Sequence, residues 1–425
     1  MLFRALIAGT LSLALSGPAF AADPRQDEQW GLEMVNAVGA WPTSTGVGAV
    51  VAVIDTGVQR DHPDLGGRLL DGGFDFVAND TDPADGNGHG THVTGIVAAN
   101  RDNGEGIAGV APGARVLPLR VLDDNGEGFA DDTIEAIDYA IDKDVHVINL
   151  SLGDFLPLQS TLFNDADYQA VLERAVAAGI VVVIAAGNSS LPKCENPEVS
   201  GIVCVGAVDR TGTRSGFSSF GSNVDLMAPG GSGLGGSAED VLSTYTDPDY
   251  ASISGTSQAA PHVAGVAALL VSLGLQGQTA AGRIVATAAE AGSPSQGWDD
   301  IVDAAAAVDG LAPPPPSDNP DDPPTATGSY FTADKVKRRA VRRRGFRVRC
   351  TAVRPGTCRV VVRHHGRKIG RGGGDVPAAI DTVVTAQLNR AGRKRLKRMG
   401  RRIRVRVAVT LPGEATRSRR ITVRR

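Results

Sequence analysis

The sequence predicts an α/β protein with a doubly wound, mostly parallel sheet and helices on both faces, followed by a small C-terminal β-sandwich. Continuous apolar runs, amphipathic segments between some of them, and alternating runs near the C terminus lead to this fold class. Uninterrupted apolar runs are typical of parallel strands that are buried on both faces. They span residues 49–54, 116–121, 145–150, 180–186 and 202–208. Repetition of strand, helix and strand then predicts the doubly wound arrangement.

Two amphipathic segments predict helices between these strands. Ile134, Ile137 and Ile141 recur at helical spacing after Asp132, which we expect to cap the helix. A second helix is predicted over residues 171–178, because Gly179 supplies the glycine that commonly follows a helix end.

The N-terminal segment has the pattern of a secretory signal peptide. Arg4 precedes an apolar run over residues 6–15, and Ala19-Phe20-Ala21 has the small-x-small pattern of a cleavage site. No later apolar run is long enough to cross a bilayer. We therefore expect an exported protein with a signal peptide over residues 1–21.

The net charge of −4 conceals two bodies of opposite charge. Residues 330–425 contain 30 Lys and Arg but 4 Asp and Glu, a net charge of +26, while the rest of the chain carries −30. Proline-rich residues 313–324 lie between them and are typical of a stiff linker. We expect one domain over residues 22–311, a linker over 312–328 and a basic module over 329–425.

Alternating apolar residues predict half-buried strands in the basic module, which we expect to form a small β-sandwich. The module weakly resembles small Ig-like modules. These runs lie at residues 346–350, 360–362, 403–409 and 421–423. The charge predicts binding of a polyanion such as a cell-wall polymer, an acidic polysaccharide or nucleic acid. A module that only solubilises or separates is the alternative.

Four cysteines agree with export, since disulfides form in oxidising compartments. Cys194 lies near Cys204, and Cys350 lies near Cys358. Four cysteines allow three pairings, of which these two local disulfides close the shortest loops.

Three residues at element ends suggest nucleophilic catalysis. Ser257 lies two residues after Gly255 at the start of an apolar helix, close to unpaired backbone N–H groups and the helix dipole. Taken alone, it is more often a helix-capping serine. Asp55 directly follows the first apolar run, and His89 stands among glycines at a helix start. Together they supply a nucleophile, a base and a group that orients the base.

Around these residues the sequence resembles the subtilisin-like serine peptidases, in particular their thermitase-like members. The resemblance rests on the motifs at residues 53–57, 89–95 and 255–262, which occur in the family order. It implies that Ser257 is the nucleophile, His89 the general base and Asp55 the group that orients His89. It also implies that Asn188, in Ala185-Ala186-Gly187-Asn188, donates to the oxyanion.

The same resemblance implies two edges that bind an extended polypeptide substrate between them. One edge contains Gly126 and Gly128, and the other contains Ser151, Leu152 and Gly153. Backbone pairing accepts many sequences, so we expect an endopeptidase of broad specificity. We also expect it to be a monomer. The competing interpretation is a polyanion-binding surface protein with an inactive peptidase domain; the complete set of catalytic residues favours the enzyme.

The resemblance also implies structural calcium, which prefers clustered carboxylate and carbonyl oxygens. The residues of the first expected site are Gln26, Asp64, Asn103, Glu105 and Ile107. A second candidate site contains Asp75, Asp80 and Asp82. For each site the alternative is a solvated acidic loop.

Overall fold

The computed structural model of the 425-residue chain describes most of the predicted larger domain and the strands of the basic module. The described residues are 23–152, 166–194, 199–235, 238–247, 249–289, 300–312, 335–337, 346–350, 356–364, 367–376, 382–389, 393–394, 402–410 and 417–424. The predicted signal peptide over residues 1–21 and residues 313–328 of the predicted linker lie outside them. Within the described residues, no helix has the length and apolar character needed to span a membrane.

A seven-stranded sheet forms the centre of the larger domain, and every neighbouring pair in it is parallel. Its strands are β1 (Val50–Asp55), β2 (Phe74–Asp75), β3 (Arg115–Arg120), β4 (Val147–Leu150), β5 (Val181–Ala185), β6 (Ile202–Val208) and β7 (Leu226–Pro229). Each predicted strand agrees with the observed one to within two residues. The prediction of a doubly wound, mostly parallel sheet is confirmed.

Helices lie before, between and after these strands. They are α1 (Trp30–Met34), α2 (Ala37–Ala40), α3 (His89–Ala98), α4 (Ala130–Asp142), α5 (Ala166–Ala177), α6 (Thr256–Ser272), α7 (Gly277–Ala286) and α8 (Ala304–Val308). Short 3-10 helices span Gln26–Glu28 and Pro63–Leu65. An antiparallel hairpin of β8 (Val241–Tyr245) and β9 (Asp249–Ile253) precedes α6.

The two faces of the sheet bury separate apolar clusters. Val51 and Val53 of β1 pack with α3 and α6 on one face, whereas Ala52 and Ile54 pack with α4 and α5 on the other. Alternate residues of a strand point to opposite faces, so a strand covered by helices on both sides must be apolar throughout. This explains the uninterrupted apolar runs.

The strand order β2-β3-β1-β4-β5-β6-β7 places β1 between β3 and β4. The chain therefore extends the sheet in opposite directions from β1, and the strand order reverses there. In open α/β sheets the crevice at such a reversal, beyond the carboxyl ends of the strands, is where ligands bind. Asp55 is the last residue of β1 and lies at this crevice.

The start of α4 differs from the prediction. The helix begins at Ala130 with Phe129 as its N-cap residue, whose side chain makes no capping hydrogen bond. The Phe129 carbonyl accepts hydrogen bonds from the N–H groups of Asp132 and Thr133, which starts the helix before Asp132. Asp132 therefore lies in the first turn, where a negative charge still favours the helix dipole.

The C-terminal residues form strands, as predicted. These are β10 (Lys335–Lys337), β11 (Phe346–Cys350), β12 (Gly356–His364), β13 (Arg367–Val376), β14 (Thr382–Leu388), β15 (Arg402–Thr410) and β16 (Arg417–Arg424). Their pairings are antiparallel except that of β10 with β16. Packing of these strands as a sandwich stays a prediction.

A disulfide joins Cys194 and Cys204, with Cα atoms 6.6 Å apart. It ties the loop after β5 to β6, so the segment that follows Asn188 is fixed to the sheet. Cys350 and Cys358 belong to β11 and β12. Their side chains lie outside what the structure describes, so their pairing stays a prediction.

Candidate active site

The three predicted catalytic residues lie at the ends of three elements. Asp55 ends β1, His89 is the first residue of α3, and Ser257 lies in the first turn of α6. Helices α3 and α6 pack against each other on the same face of the sheet. All three residues are buried; His89 is 7% exposed and Ser257 is 2% exposed.

Asp55 and His89 form a buried, charged hydrogen bond. His89 Nδ1–H donates to Asp55 Oδ1 at 2.7 Å, and the same oxygen accepts the Thr56 N–H at 2.7 Å. Because Nδ1 faces the carboxylate, the ring edge that carries Nε2 points away from it. The arrangement suits a base whose second nitrogen exchanges a proton with a nucleophile.

The pKa of His89 is raised above its ordinary value of 6.5. Burial opposes protonation of the ring, but the charge of Asp55, its hydrogen bond and the charge of Asp85 together outweigh burial. A nearby carboxylate favours the imidazolium form, which a general base must adopt during catalysis.

Ser257 is held against the end of β4. Its Oγ donates to the Ser151 carbonyl at 3.2 Å, and the Ser151 Oγ donates to the Ser257 carbonyl at 2.8 Å. Asn149 Nδ2 donates in turn to the Ser151 Oγ at 2.9 Å. Sequence reasoning missed Asn149, although a polar residue within an apolar strand is a signal that such a position has a specific partner.

The amide of Asn188 has a fixed orientation. Its Oδ1 accepts hydrogen bonds from the Thr256 N–H at 2.9 Å and the Thr256 hydroxyl at 3.0 Å. A methyl group built on Gly255 would lie 3.7 Å from Asn188 Nδ2 and 3.6 Å from the Ser257 backbone nitrogen. The same methyl group would lie 2.8 Å from Gln258 Oε1, so the two nitrogens and this oxygen lie around one point beside Ser257. Two N–H donors this close to each other and to the hydroxyl are candidate donors to an oxyanion.

Gly90 lets α3 approach the end of β1. A Cβ atom at this position would lie 2.1 Å from the Gly57 carbonyl oxygen and 3.1 Å from the Asp55 Cβ. Neither neighbour is the end of a flexible side chain, so a larger residue would push the helix and His89 away from Asp55.

His92 and His262 are buried and serve the packing around the site. His92 Nε2–H is shared between the Val241 and Ala251 carbonyls, at 3.0 Å each, which holds α3 to the hairpin of β8 and β9. His262 Nδ1–H donates to the Gln258 carbonyl at 2.9 Å within α6.

The predicted substrate edges follow β3 and β4, on either side of β1. Gly126 has a left-handed backbone with φ of 80°. A Cβ on Gly128 would lie 2.4 Å from the Val121 carbonyl oxygen. Ser151 and Leu152 are buried beyond β4. Gly153 lies outside the described residues.

The first candidate calcium site has the chemistry of a cation site. Asp64 is fully buried, and its carboxylate accepts hydrogen bonds from Asn103 Nδ2, the Ile107 N–H and the Tyr250 hydroxyl. Burial and then the charge of Asp23 raise the pKa of Asp64, despite these hydrogen bonds. Two buried carboxylates that lack an ion pair in the described part of the chain fit a divalent cation.

Asp23, which sequence reasoning missed, lies at the loop where Gln26 was expected. Its carboxylate accepts the N–H groups of Asp102 and Asn103 at 2.9 and 3.0 Å. Gln26 begins a 3-10 helix. The sequence offered one signal for Asp23, since it is an acidic residue that lies three positions before Gln26.

The second candidate calcium site does not fit a cation. Asp75 already pairs with Arg120, whose Nη1 lies 2.7 Å from the Asp75 Oδ2. Its other oxygen accepts the Ala78 N–H. Asp80 and Asp82 are exposed. The guanidinium group supplies the positive charge here, so we propose no calcium at this loop.

Comparison with protein families decides the identity of this domain. The model of the Subtilase family matches residues 46–305, which is more than half of the chain. The chain belongs to the subtilase family. The expectation drawn from the three motifs is therefore confirmed at the level of the family.

Two relatives of this subtilase show how far the similarity extends. Thermitase of Thermoactinomyces vulgaris is 46% identical over 247 residues, which are 58% of this chain and 83% of that protein. The thermophilic serine proteinase of Bacillus sp. strain AK1 is 46% identical over 251 residues, which are 59% of each chain.

Solved structures agree with the sequence relatives. One, described as proteases from Pseudoalteromonas arctica PAMC 21717, matches with a TM-score of 0.60 at 35% identity, covering 68% of this chain and 98% of that one. A cold-adapted subtilisin-like serine proteinase matches with a TM-score of 0.54 at 34% identity, covering 61% and 90%. This subtilase is a subtilisin-like serine peptidase.

The buried histidines predict a loss of stability in acid. Burial, followed by the charge of His89, lowers the pKa of His92 to about 3, and burial lowers that of His262 to about 4, both from 6.5. At a pH between the lowered pKa values of the folded protein and the ordinary value of 6.5, the unfolded chain binds more protons than the folded one. The stability due to neutral His92 and His262 is therefore complete above pH 6.5 and is lost as the pH falls towards 3 to 4.

We expect His262→Gln to weaken the dependence of the unfolding midpoint on pH across this window, because one group that titrates on unfolding is gone. Thermal unfolding of the wild type and the variant between pH 8 and pH 4 measures the difference. Parallel curves for the two proteins would contradict the account.

Proposed function

We propose that this subtilase is an exported endopeptidase that hydrolyses peptide bonds with Asp55, His89 and Ser257 as its catalytic residues. The observation that carries the proposal is the buried 2.7 Å bond from His89 to Asp55, on a helix that packs against the helix of Ser257. A carboxylate, an imidazole and a hydroxyl in these positions supply the groups of a serine peptidase.

In the proposed reaction, Ser257 Oγ attacks the carbonyl carbon of the scissile bond while His89 Nε2 takes the hydroxyl proton. Asp55 keeps Nδ1 protonated and stabilises the imidazolium. His89 then gives the proton to the leaving amine, which departs as the acyl-enzyme forms. A water molecule, deprotonated by His89, hydrolyses the acyl-enzyme in the same way and releases Ser257.

Asn188 Nδ2 and the Ser257 N–H are the proposed donors to the oxyanion of the tetrahedral intermediate. Both nitrogens lie within 4 Å of one point beside Gly255, and the bonds from Thr256 to Asn188 Oδ1 fix the amide before substrate arrives. A donor that is already oriented costs no reorganisation during the reaction. Loss of such an Asn donor costs about 3 kcal/mol of transition-state stabilisation.

The proposed substrates are extended polypeptides that pair with the backbone of residues 126–128 and 151–153. Asp123 Oδ1 accepts the N–H groups of Asn125 and Glu127, and the Asp123 N–H donates to the Glu127 carbonyl. This tight turn holds the first edge in place. Backbone pairing favours no particular sequence, which supports broad specificity.

A serine-directed phosphonate tests the catalytic assignment. We expect it to label the wild type at Ser257, and we expect Ser257→Ala to lose both labelling and casein cleavage. Ser272→Ala, at the other end of α6, is the matched control and keeps both. Labelling of a different residue, or cleavage by Ser257→Ala, would refute the assignment. A wild type that is neither labelled nor active would favour the polyanion-binding interpretation.

We also propose that calcium stabilises the fold at the first candidate site, with Asp23 and Asp64 as carboxylate ligands and the loop of Asn103, Glu105 and Ile107 completing the oxygen set. A cation there neutralises two buried carboxylates that are otherwise costly to desolvate. An ion that binds only the folded state stabilises that state by mass action.

Excess chelator is therefore expected to lower the thermal unfolding midpoint of the wild type. In Asp64→Asn the midpoint should start lower and respond less to the chelator, whereas Asp80→Asn, in the loop that does not fit calcium, should respond as the wild type does. The proposal fails if the midpoint of the wild type does not change with chelator.

The charge of +26 on residues 330–425 supports a second role, in which the basic module retains the enzyme on a polyanion. In this proposal residues 1–21 direct export and residues 312–328 separate the peptidase domain from the module. Electrostatic attraction of this kind weakens as salt shortens the screening length.

Retention of the full chain on immobilised heparin should decrease as salt rises. Glutamine at Arg393, Lys394, Arg395, Lys397 and Arg398 should lower the salt concentration that elutes the protein. Lys193→Gln, in the peptidase domain, is the control and should not change it. Equal elution of both variants would show that the module does not bind the polymer.

A further inference from the structure

Asp85 lies in the loop before α3 and accepts five hydrogen bonds. Its Oδ1 accepts the Thr56 hydroxyl at 2.8 Å and the N–H groups of Asn87 and Gly88 at 3.0 and 2.9 Å. Its Oδ2 accepts the Thr91 N–H at 2.9 Å and the Thr91 hydroxyl at 2.6 Å. Each oxygen therefore receives at least two donors.

These bonds connect the two elements that carry Asp55 and His89. Thr56 follows Asp55 at the end of β1, while Gly88 and Thr91 flank His89 at the start of α3. Thr56 also closes the arrangement, because its hydroxyl accepts the Gly90 N–H at 2.9 Å while donating to Asp85. Thr56 and Thr91 are buried, so these hydrogen bonds are shielded from water.

The first turn of α3 depends on the same set of bonds. A helix start has backbone N–H groups without partners inside the helix. Here the His89 N–H donates to Asn87 Oδ1, the Gly90 N–H to Thr56 and the Thr91 N–H to Asp85. The helix start is thus bound to Asp85 and to the strand of Asp55 at once.

We propose that Asp85 is a positioning residue that fixes the helix of His89 against the strand end of Asp55. The proposal rests on the catalytic roles proposed above for Asp55 and His89. Gly90, where a Cβ would lie 2.1 Å from the Gly57 carbonyl oxygen, leaves room for this approach, and Asp85 holds the two elements at that distance. A misplacement of about 1 Å in a catalytic group can cost about a hundredfold in rate.

The negative charge of Asp85 has a second effect on the same histidine. Asp55 on β1 and Asp85 in the loop before α3 both favour the protonated form of His89. His92 is the other titratable neighbour on α3; burial lowers its pKa, so it stays neutral. Loss of the Asp85 charge removes one of the causes that raise the pKa of His89. Purely structural support of the fold would not produce this effect.

Asp85→Asn and Thr56→Val separate these two contributions. The first keeps the size of the side chain but removes its charge. It also replaces one carboxylate oxygen by an NH₂ group, which cannot accept the hydrogen bonds that this oxygen received. The second removes the hydroxyl link and leaves the charge. Glu173→Gln, exposed on α5 across the sheet, is the matched change of net charge.

We expect Asp85→Asn to lower kcat by roughly ten- to a hundredfold with little change in KM, and to move the acid limb of the rate profile to lower pH. Thr56→Val should lower kcat without moving that limb, and Thr56→Ser should restore most of the loss because the hydroxyl returns. Glu173→Gln should match the wild type in kcat and in pH profile.

Titration of the His89 ring by NMR gives a readout that does not need activity. A lower pKa of His89 in Asp85→Asn than in the wild type supports the proposal. A folded Asp85→Asn with unchanged kcat and unchanged His89 titration overturns it. If Asp85→Asn does not fold, an unchanged kcat in folded Thr56→Val overturns it.

Failure of the proposed function gives a different result, namely a wild type that the phosphonate does not label at Ser257. In that case the titration of His89 still decides whether Asp85 acts on it.

Discussion

The buried pair of Asp55 and His89 is the interaction on which the rest of the site depends. Asp55 is fully inaccessible to solvent, and its Oδ2 has no hydrogen-bond partner among the described residues. A buried carboxylate is costly unless a charge or hydrogen bonds compensate for lost water. The bonds from His89 and Thr56 to Oδ1 provide that compensation. The same hydrogen bond therefore stabilises the buried carboxylate at the strand end and sets the orientation and the raised pKa of His89.

The sheet explains why residues so distant in sequence meet. Parallel strands end at one edge, and the reversal of strand order at β1 opens a crevice there. Asp55 is the last residue of β1, Ser151 directly follows β4 and hydrogen-bonds with Ser257, and Asn188 lies in the loop after β5. The two helices that bring His89 and Ser257 lie on one face of the sheet. The hairpin of β8 and β9 holds the first of these helices through His92.

The sequence predicted five of the seven strands of the sheet, with their limits to within two residues, because strands buried on both faces leave apolar runs that few other structures produce. The short strands β2 and β7 were not predicted. The motifs around Asp55, His89 and Ser257 indicated the site for a similar reason, since glycine is required where backbones meet, as at Gly90. The predicted N-cap residue of α4 was wrong, because whether the helix starts after Phe129 or after Asp132 depends on local backbone geometry. Asp85 escaped detection because its bond to Thr56 spans 29 positions and exists only in the fold.

The most direct test of the central claim is kinetic. Hydrolysis of a chromogenic peptide would be compared for wild type, Ser257→Ala, His89→Ala and the variant that carries both changes. If the residues act as one unit, either single change removes the contribution of the whole unit, and the double variant is no slower than the slower single variant. Losses that multiply in the double variant would show that Ser257 and His89 act independently, which would contradict the account.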